Sequence, residues 1–272
     1  MIPKIIHYCW FGGNPLPELA RKCIASWKRF LPDYEIREWN ESNYDVHKIP
    51  YIAQAYEAKK YAFVSDFARF DILYEFGGIY FDTDVEVIKP LDDILKNGAF
   101  AGIESAGALA AGLGIASPAA RDILKEILDS YKHETFLLSD GSFNLKTVVT
   151  RVSNIFKMHG FSDEVKIQHI ADFTIYPMEY FCPKSPRTLQ LNITDNTYTI
   201  HHYDGSWVDD FGKDVNAYVS KLYKKYGDTF FSRKKVVLYS VVKAFKYYGV
   251  VGGVKYFFVR IKRKRSRMSK LR

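Results

Sequence analysis

The sequence predicts a single α/β domain, and three observations carry that prediction. The chain opens on a β-rich run, a helix-spaced run and an alternating run in succession. A helix-spaced segment near residue 70 ends on the pair Gly77-Gly78 and passes directly into a short apolar strand. A chain of 272 residues with 47% hydrophobic content can bury a large core, and one α/β domain accounts for that length better than two.

Residues 4–10 form the first β-rich run. Residues 16–30 follow with helical spacing after Pro15 and Pro17, and residues 34–39 alternate as a strand does. Together they predict a β-α-β unit with Trp10-Phe11-Gly12-Gly13 at the carboxyl end of its first strand, where open sheets of this kind bind ligands. A helix over residues 61–76 leads to the strand before Asp82, and residues 85–88, 100–103 and 112–116 are further strands. Residues 118–131 read as an amphipathic helix opened by Pro118, and residues 142–159 as another helix. Residues 165–182 are mixed and aromatic, and residues 197–202 form a last strand.

The net charge of +8 is unevenly placed. From residue 233 onward there are fourteen Lys and Arg and no Asp or Glu, which leaves 25 basic against 31 acidic side chains in residues 1–232, a net of −6. This divides the chain into an acidic domain, 1–232, and a basic tail, 233–272, and excludes a basic globular nucleic-acid binder. In the tail, Val237, Val241, Ala244 and Tyr248 recur at helical spacing among Lys235, Lys243 and Lys246. After Gly249 a second stretch holds Tyr256, Phe257, Phe258 and Ile261 before a Lys/Arg run. That pattern predicts a basic amphipathic helix lying in the interface of an anionic membrane. A helical lid packed on the domain, and nucleic-acid binding by the same charges, are the alternatives.

Cys9, Cys23 and Cys182 are odd in number and lack metal-site spacing, so neither a disulfide framework nor a zinc site is expected and a reducing cytosol fits. The chain starts on a strand-like run, so no signal peptide is expected, and no run of about 18 apolar residues predicts a membrane span.

The chemistry centres on Ser65-Asp66-x-x-Arg69 and Gly77-Gly78-x-Tyr80-x-Asp82-x-Asp84. In extended chain, side chains two apart point to one side, so Asp82 and Asp84 can converge on one hard cation with Thr83 turned away. Mn²⁺ or Mg²⁺ held by one or two carboxylates keeps open positions for the oxygens of a diphosphate. Asp66 and Arg69, three apart on a helix, can be an ordinary ion pair worth a few tenths of a kcal/mol, or can face a ligand with a guanidinium fork suited to phosphate. Gly77 and Gly78 suit a helix C-cap of positive φ.

Those motifs resemble the signature of glycosyltransferase family 32, the sugar transferases with a DXD motif, which includes capsular polysaccharide transferases and is similar to the glucosylating clostridial toxins. The opening Ile2-Pro3-Lys4-Ile5-Ile6-His7-Tyr8-Cys9-Trp10-Phe11-Gly12-Gly13 and the late Ile200-His201-His202-Tyr203-Asp204-Gly205-Ser206-Trp207 resemble the family's first and last motifs. The resemblance implies a GT-A-like nucleotide-diphospho-sugar transferase fold, with a mixed central sheet flanked by helices. It implies a donor site at Trp10, Phe11, Gly12, Ser65, Asp66, Arg69, Tyr80, Asp82, Ser206 and Trp207. Trp10, which the sequence alone allows equally as a core aromatic, would stack on the base, Asp66 would bind donor hydroxyls, Arg69 would face the diphosphate, and Ser206 and Trp207 would lie on a loop closing over it. His202-x-x-Gly205 resembles a metal-binding His-x-x-Gly, which places His202 with Asp82 and Asp84 on the ion and leaves His201 packed or hydrogen-bonded. Asp140 and Asn144 lie where a turn could present them to sugar hydroxyls, and a helix N-terminal cap explains them equally well.

The function implied is a metal-dependent, retaining transferase that moves a hexose or N-acetylhexosamine from a UDP-sugar, or alternatively a GDP-sugar, to a glycan. A lipid-linked acceptor in capsule or cell-surface polysaccharide synthesis, at the cytoplasmic face of the membrane, completes that expectation. A phosphatase of the haloacid dehalogenase type is the rival for Asp-x-Asp. Its pattern continues to Thr or Val two residues past the second Asp, where this chain has Glu86, and lies on the first strand. A membrane-associated sugar-binding protein without turnover is the non-enzymatic alternative.

Overall fold

The computed structural model describes the backbone of residues 1–185, 190–205, 210–227 and 229–269, with side chains described through residue 257. Ser206 and Trp207 lie outside the described residues. The chain forms two compact units, residues 1–184 with 191–204, and residues 185–190 with 205–272. The charge boundary at residue 232 falls inside the second unit.

The first unit holds the predicted α/β sheet. Strands β1 (Ile5–Cys9) and β2 (Glu35–Trp39) run parallel and are joined by helix α1 (Glu18–Phe30). Helix α2 (Pro50–Glu57) precedes helix α3 (Tyr61–Phe76). After α3 come β3 (Gly78–Tyr80), β4 (Val85–Val87), α4 (Asp92–Leu95), β5 (Ala99–Ser105) and β6 (Ala108–Leu109). A 3-10 turn (Ala111–Leu113) then leads to β7 (Ile115–Ser117), α5 (Asp122–Asp129) and α6 (Val148–Met158). Last come β8 (Gln168–Ile170), β9 (Phe173–Tyr176), α7 (Met178–Phe181) and β10 (Thr199–His201). The main sheet has the order β2-β1-β3-β7-β5-β9-β8 with β6 beside β5, and β4 and β10 make a separate two-stranded sheet. Parallel β1/β3 and β5/β9 pairs alternate with antiparallel β3/β7 and β5/β7 pairs, so the sheet is mixed.

Two elements begin later than the sequence suggests. Ala120 takes a left-handed φ of 56°, so residues 118–121 turn and α5 starts at Asp122. Residues 137 and 143 bridge across a hairpin turn, and α6 starts only where the Thr147 side chain accepts the Thr150 N–H. The strand expected at residues 112–116 is split, because Gly112 lies in the 3-10 turn before β7.

Helices cover both faces of the sheet. One core cluster joins Tyr51, Phe67, Phe70, Phe156 and Phe173, and the other joins Ile6, Trp27, Phe81, Phe100 and Phe181. Trp27 is wholly buried, and its indole N–H donates to the Val85 carbonyl at 2.7 Å, tying α1 to β4. α3 is apolar nearly all round, as a helix enclosed by its own domain must be, with Val64, Phe67, Ala68, Phe70, Ile72 and Leu73 buried. It stops at Gly77, φ 63°, where an added Cβ would lie 2.8 Å from the Ala119 nitrogen and 2.9 Å from the Ser117 oxygen.

His7, in the middle of β1, fixes that stop. It is wholly buried; its Nε2–H donates to the Gly77 carbonyl at 2.8 Å, and its Nδ1 accepts the Trp39 indole N–H at 3.1 Å. Burial pushes its pKa down to about 4, against the pull of the Gly77 carbonyl. The unfolded chain therefore takes up a proton near the ordinary 6.5 while the folded chain does not, and stability falls as pH drops from 6.5 towards 4. This group alone contributes a loss of roughly 3 kcal/mol. Asp66, raised to about 6 by burial, acts oppositely: the folded state binds its proton first and gains stability as pH falls through 6. Urea unfolding as a function of pH should show a shallow acid loss in the native chain and a steeper one in Asp66→Asn; identical slopes would contradict this balance.

In the second unit, α8 (Asp210–Tyr226) is followed by α9 (Phe230–Ser269), which breaks at Gly249, φ 68°, as the sequence predicts. Leu222 and Tyr223 pack on Val236, Tyr218 stacks on Tyr239 with ring centroids 3.8 Å apart, and Lys243 reaches Asp214 at 2.6 Å. No helix among the described residues is long and apolar enough to cross a membrane.

Candidate active site

The α3–β3 connection builds the site. Arg69 points from α3 and is 4% exposed; its Nε donates to the Ser65 carbonyl at 3.1 Å. Its Nη2 lies 3.0 Å from Asp66 Oδ1 and 3.2 Å from Asp82 Oδ1, so one guanidinium joins the helix to the end of β3. The guanidinium carbon stands 4.9 Å from the Tyr80 ring centroid, and the Tyr80 hydroxyl donates to Asp82 Oδ1 at 3.1 Å. Burial alone would lower the Arg69 pKa, but Asp82, Tyr80 and Asp66 hold it above its ordinary value. Asp66 is raised chiefly by burial and then by Asp82, and lowered by Arg69, Arg151 and the Val148 N–H at the start of α6. The intrahelical Asp66–Arg69 ion pair is thus present, buried and extended to Asp82.

Asp82 and Asp84 are presented differently from the expectation. β3 ends at Tyr80, and the Asp82 carbonyl accepts the Val85 N–H at 3.1 Å, so Asp82-Thr83-Asp84 is a tight turn and strand alternation does not set its side chains. The Asp82 N–H donates to the Gly112 carbonyl at 3.1 Å, and a Cβ on Gly112 would fall on the Asp82 carboxylate. Only glycine leaves that cradle open.

The small sheet supplies the other side. β4 and β10 pair antiparallel with His201 opposite Val85, and the His202 N–H donates to the Asp84 carbonyl at 3.0 Å. His201 Nε2 lies 3.1 Å from Asp84 Oδ1, and Asp84 Oδ2 accepts the Asp204 N–H at 2.9 Å. Although burial opposes both charges, that pairing raises the His201 pKa and lowers that of Asp84. His202 turns the other way, with Nε2 2.8 Å from Glu86 Oε2. The His201 imidazole thus stands at the Asp84 carboxylate and the His202 imidazole at Glu86.

A divalent cation can be tested against this donor set. Among the described residues no three of His, Cys, Asp or Glu already form a cage. Yet His201 Nδ1 is buried without a hydrogen-bond partner among the described residues, and the Asp82 carboxylate lies against Gly112, in the space a Cβ would take. Two carboxylates and an imidazole suit Mn²⁺, and a small protein ligand set leaves positions for phosphate oxygens. The residues fit the group.

The remaining expected residues divide. Trp10 is half-buried at the end of β1, and its indole N–H donates to the Asn14 carbonyl at 2.6 Å. Phe11 is buried and packs near Tyr44, so it is core. The Gly12 N–H donates to Glu41 at 2.6 Å, and a Cβ at Gly12 would strike the Tyr61 ring. The Ser65 hydroxyl turns back to the Tyr61 carbonyl at 3.2 Å. Asp140 sits on an exposed turn, where its carboxylate accepts the Ser142 N–H at 2.9 Å and hydroxyl at 2.6 Å; the cap of α6 is Thr147. Asn144 is held by Glu134 and Thr135. Neither Asp140 nor Asn144 touches the Arg69 group among the described residues.

Three groups escaped the sequence reading. Glu104 sits on a bulge between Ile103 and Ser105 of β5, raised by burial and influenced by His201, with no hydrogen bond or ion pair to a described residue. Tyr203 holds a left-handed φ of 57°, its ring edge-on to His201 at 4.3 Å and its hydroxyl 2.7 Å from Cys182. Arg151, buried against Tyr131 and paired with Glu134, places a positive charge near Asp66. A carboxylate at a strand end was the available signal for Glu104; the other two depend on long-range packing.

This is a carboxylate-rich site around the buried Arg69 guanidinium, and residues 17–101, which include Asp66, Arg69, Asp82 and Asp84, match the family described as "Glycosyltransferase sugar-binding region containing DXD motif". The chain is 30% identical over 115 residues to inositol phosphoceramide mannosyltransferase 1 of Schizosaccharomyces pombe, covering 36% of this chain and 33% of that protein. It is 36% identical over 110 residues to uncharacterized glycosyltransferase L373 of Acanthamoeba polyphaga mimivirus, covering 37% and 42%. The matches thus span about a third to two fifths of these relatives' lengths. Among solved structures, a PaToxG glycosyltransferase is similar at 21% identity and TM-score 0.45, covering 58% of this chain and 69% of that one. A glycosyltransferase involved in glycosylation of the major capsid of PBCV-1 is similar at 11% identity and TM-score 0.43, covering 75% and 95%. The resemblance read from the motifs is the one the sequence comparisons return.

Proposed function

We propose that this chain is a metal-dependent glycosyltransferase that takes its sugar from a nucleoside-diphosphate donor. The observation that carries the reading is the Arg69 bridge to Asp66 and Asp82 beside the Asp84–His201 pair, inside the segment matched to a DXD sugar-binding region. Cleaving the bond from the anomeric carbon to phosphate develops negative charge on the departing diphosphate. Arg69 places a fixed, desolvated positive charge there, which costs no reorganisation when that charge forms. Asp84, Asp82 and His201 would hold Mn²⁺ or Mg²⁺, and the ion supplies Lewis-acid stabilisation of the diphosphate when bound. Asp66, near neutral pH in its titration, is suited to hydrogen-bond a sugar hydroxyl.

The finer assignments rest on the resemblance: retention of anomeric configuration through an oxocarbenium-like state, a UDP-hexose or UDP-N-acetylhexosamine donor, and a lipid-linked glycan acceptor. The same proposal takes capsule or cell-surface polysaccharide synthesis as its setting and the cytoplasmic membrane face as its location. A GDP-sugar stays as the alternative donor, since the yeast relative is named a mannosyltransferase. The phosphatase reading has less support: Glu86 occupies the position of its Thr or Val and is paired with His202. Thermal unfolding with a panel of nucleotide-sugars, with and without Mn²⁺, tests the proposal. A UDP-sugar is expected to raise Tm only with Mn²⁺. Stabilisation by no nucleotide-sugar, together with hydrolysis of a simple phosphomonoester, would overturn it.

A further inference from the structure

The helix α9 is turned inside out by the standard of a water-facing helix. Ser232, Val236, Ser240 and Ala244, one every four positions and mostly small, are buried, with Tyr239 and Lys243 beside them contacting α8. The opposite face is apolar. Phe231, Leu238, Val242 and Phe245 fall on one narrow arc at helical spacing, with Leu238 66% and Phe231 56% exposed. Beyond the Gly249 break, Val250, Val251, Val254 and Phe257 share a second exposed arc, while Tyr256 turns back to Phe211 with ring centroids 5.3 Å apart. The sequence-based stripe through Ala244 and Tyr248 is thus replaced: Ala244 is buried, and Tyr248 packs its ring 5.1 Å from Phe211.

The charge around this face selects its occupant. Lys234 and Lys246 are exposed, as is Lys255 on the second arc. Lys234 and Lys235 lie over the rings of Phe230 and Phe231 at 4.6 and 4.4 Å, their stems laid along the apolar surface. No Asp or Glu occurs from residue 230 to the end of the chain. A second copy would bring the same cations face to face, and a nucleic acid would meet aliphatic side chains where it needs donors. No described helix can span a bilayer, which leaves the interface plane.

We propose that the outward face of α9, Phe231, Leu238, Val242 and Phe245 continued by Val250, Val251, Val254 and Phe257, docks into the surface of an anionic lipid bilayer with its lysines at the headgroups. The surface belongs to the second compact unit alone, and the inference stands independently of the enzymatic reading.

Sedimentation of the full chain with phosphatidylcholine vesicles, with and without phosphatidylserine, tests it. Binding is expected only with the anionic lipid, weakening as salt is raised. The combined variant Leu238→Ser, Val242→Ser and Phe245→Ser, on the exposed face opposite the buried Ser232, Val236, Ser240 and Ala244, is expected to lower the partition coefficient at least about tenfold with unchanged circular dichroism. Should that variant fold poorly, Lys234→Glu with Lys246→Glu gives the second reading, and the same loss is expected. A full chain that ignores anionic vesicles overturns the proposal, as does a self-association that replaces vesicle binding. Binding that survives the serine variant unchanged while charge reversal abolishes it also overturns it, since the apolar face would then have no part.

Discussion

Asp84→Asn is expected to reduce sugar transfer by roughly 10²–10³-fold while leaving the fold standing, the scale on which removing one preorganised electrostatic group acts. Asp84 accepts from His201 and from the Asp204 N–H, so the variant keeps one acceptor oxygen and loses the charge that pairs the imidazole and would hold a cation. His201→Gln should weaken Mn²⁺ activation by a similar factor, because its ring stands 3.1 Å from Asp84, whereas His202→Gln should lose only its contact to Glu86. Donor hydrolysis measured across an Mn²⁺ titration, with Tm followed in parallel, separates the three variants. Near-normal turnover of Asp84→Asn in the presence of EDTA would sink the metal reading. A His202 variant more damaged than the His201 variant would restore the order suggested by the motif alone.

That pair of histidines shows where the sequence stopped being informative. Alternation along a strand is local, and it placed His201 and His202 on opposite sides as found. Which side faces Asp84 depends on the β4–β10 register, an antiparallel pairing across more than a hundred residues that leaves no local trace. The same division runs through the fold. α3 was readable to its ends because an apolar run meets a glycine pair, and the α9 break because Gly249 interrupts a helical pattern. α2 was missed: it is short, and its apolar residues lack a full turn of repetition on either side. Residues 118–121 read as helix because Pro118 is a legitimate first-turn residue, while the left-handed Ala120 that prevents it is set by a hydrogen bond to the Tyr74 carbonyl. Charge composition divided the tail at residue 233, but packing joins α8 and α9 across that point.

Arg69→Leu is expected to cost about 3–5 kcal/mol of stability, the penalty for leaving buried charge without its partner, and to abolish transfer as well. The argument turns on what the guanidinium holds apart. Asp66 and Asp82 both approach Nη2 within 3.2 Å, and the Asp82 charge raises the Asp66 pKa; without the cation, the two carboxylates face one another. Arg69→Lys keeps a charge but offers one ammonium where a planar fork now reaches Ser65, Asp66 and Asp82, so it should recover part of the stability. Stability and activity can then be parted. Adding Asp66→Asn and Asp82→Asn to Arg69→Leu removes the unpaired charges, and neutralised buried networks of this kind regain much of what the single variant lost. The triple variant should unfold at a urea midpoint above that of Arg69→Leu and remain inactive, because its packing is repaired while both the Arg69 charge and the Asp82 carboxylate that would hold a cation are gone. If Arg69→Leu instead stays within about 1 kcal/mol of the native chain, the bridge is the solvent-screened pair that spacing alone allowed. If the triple variant regains transfer, the guanidinium serves the fold and not the leaving group.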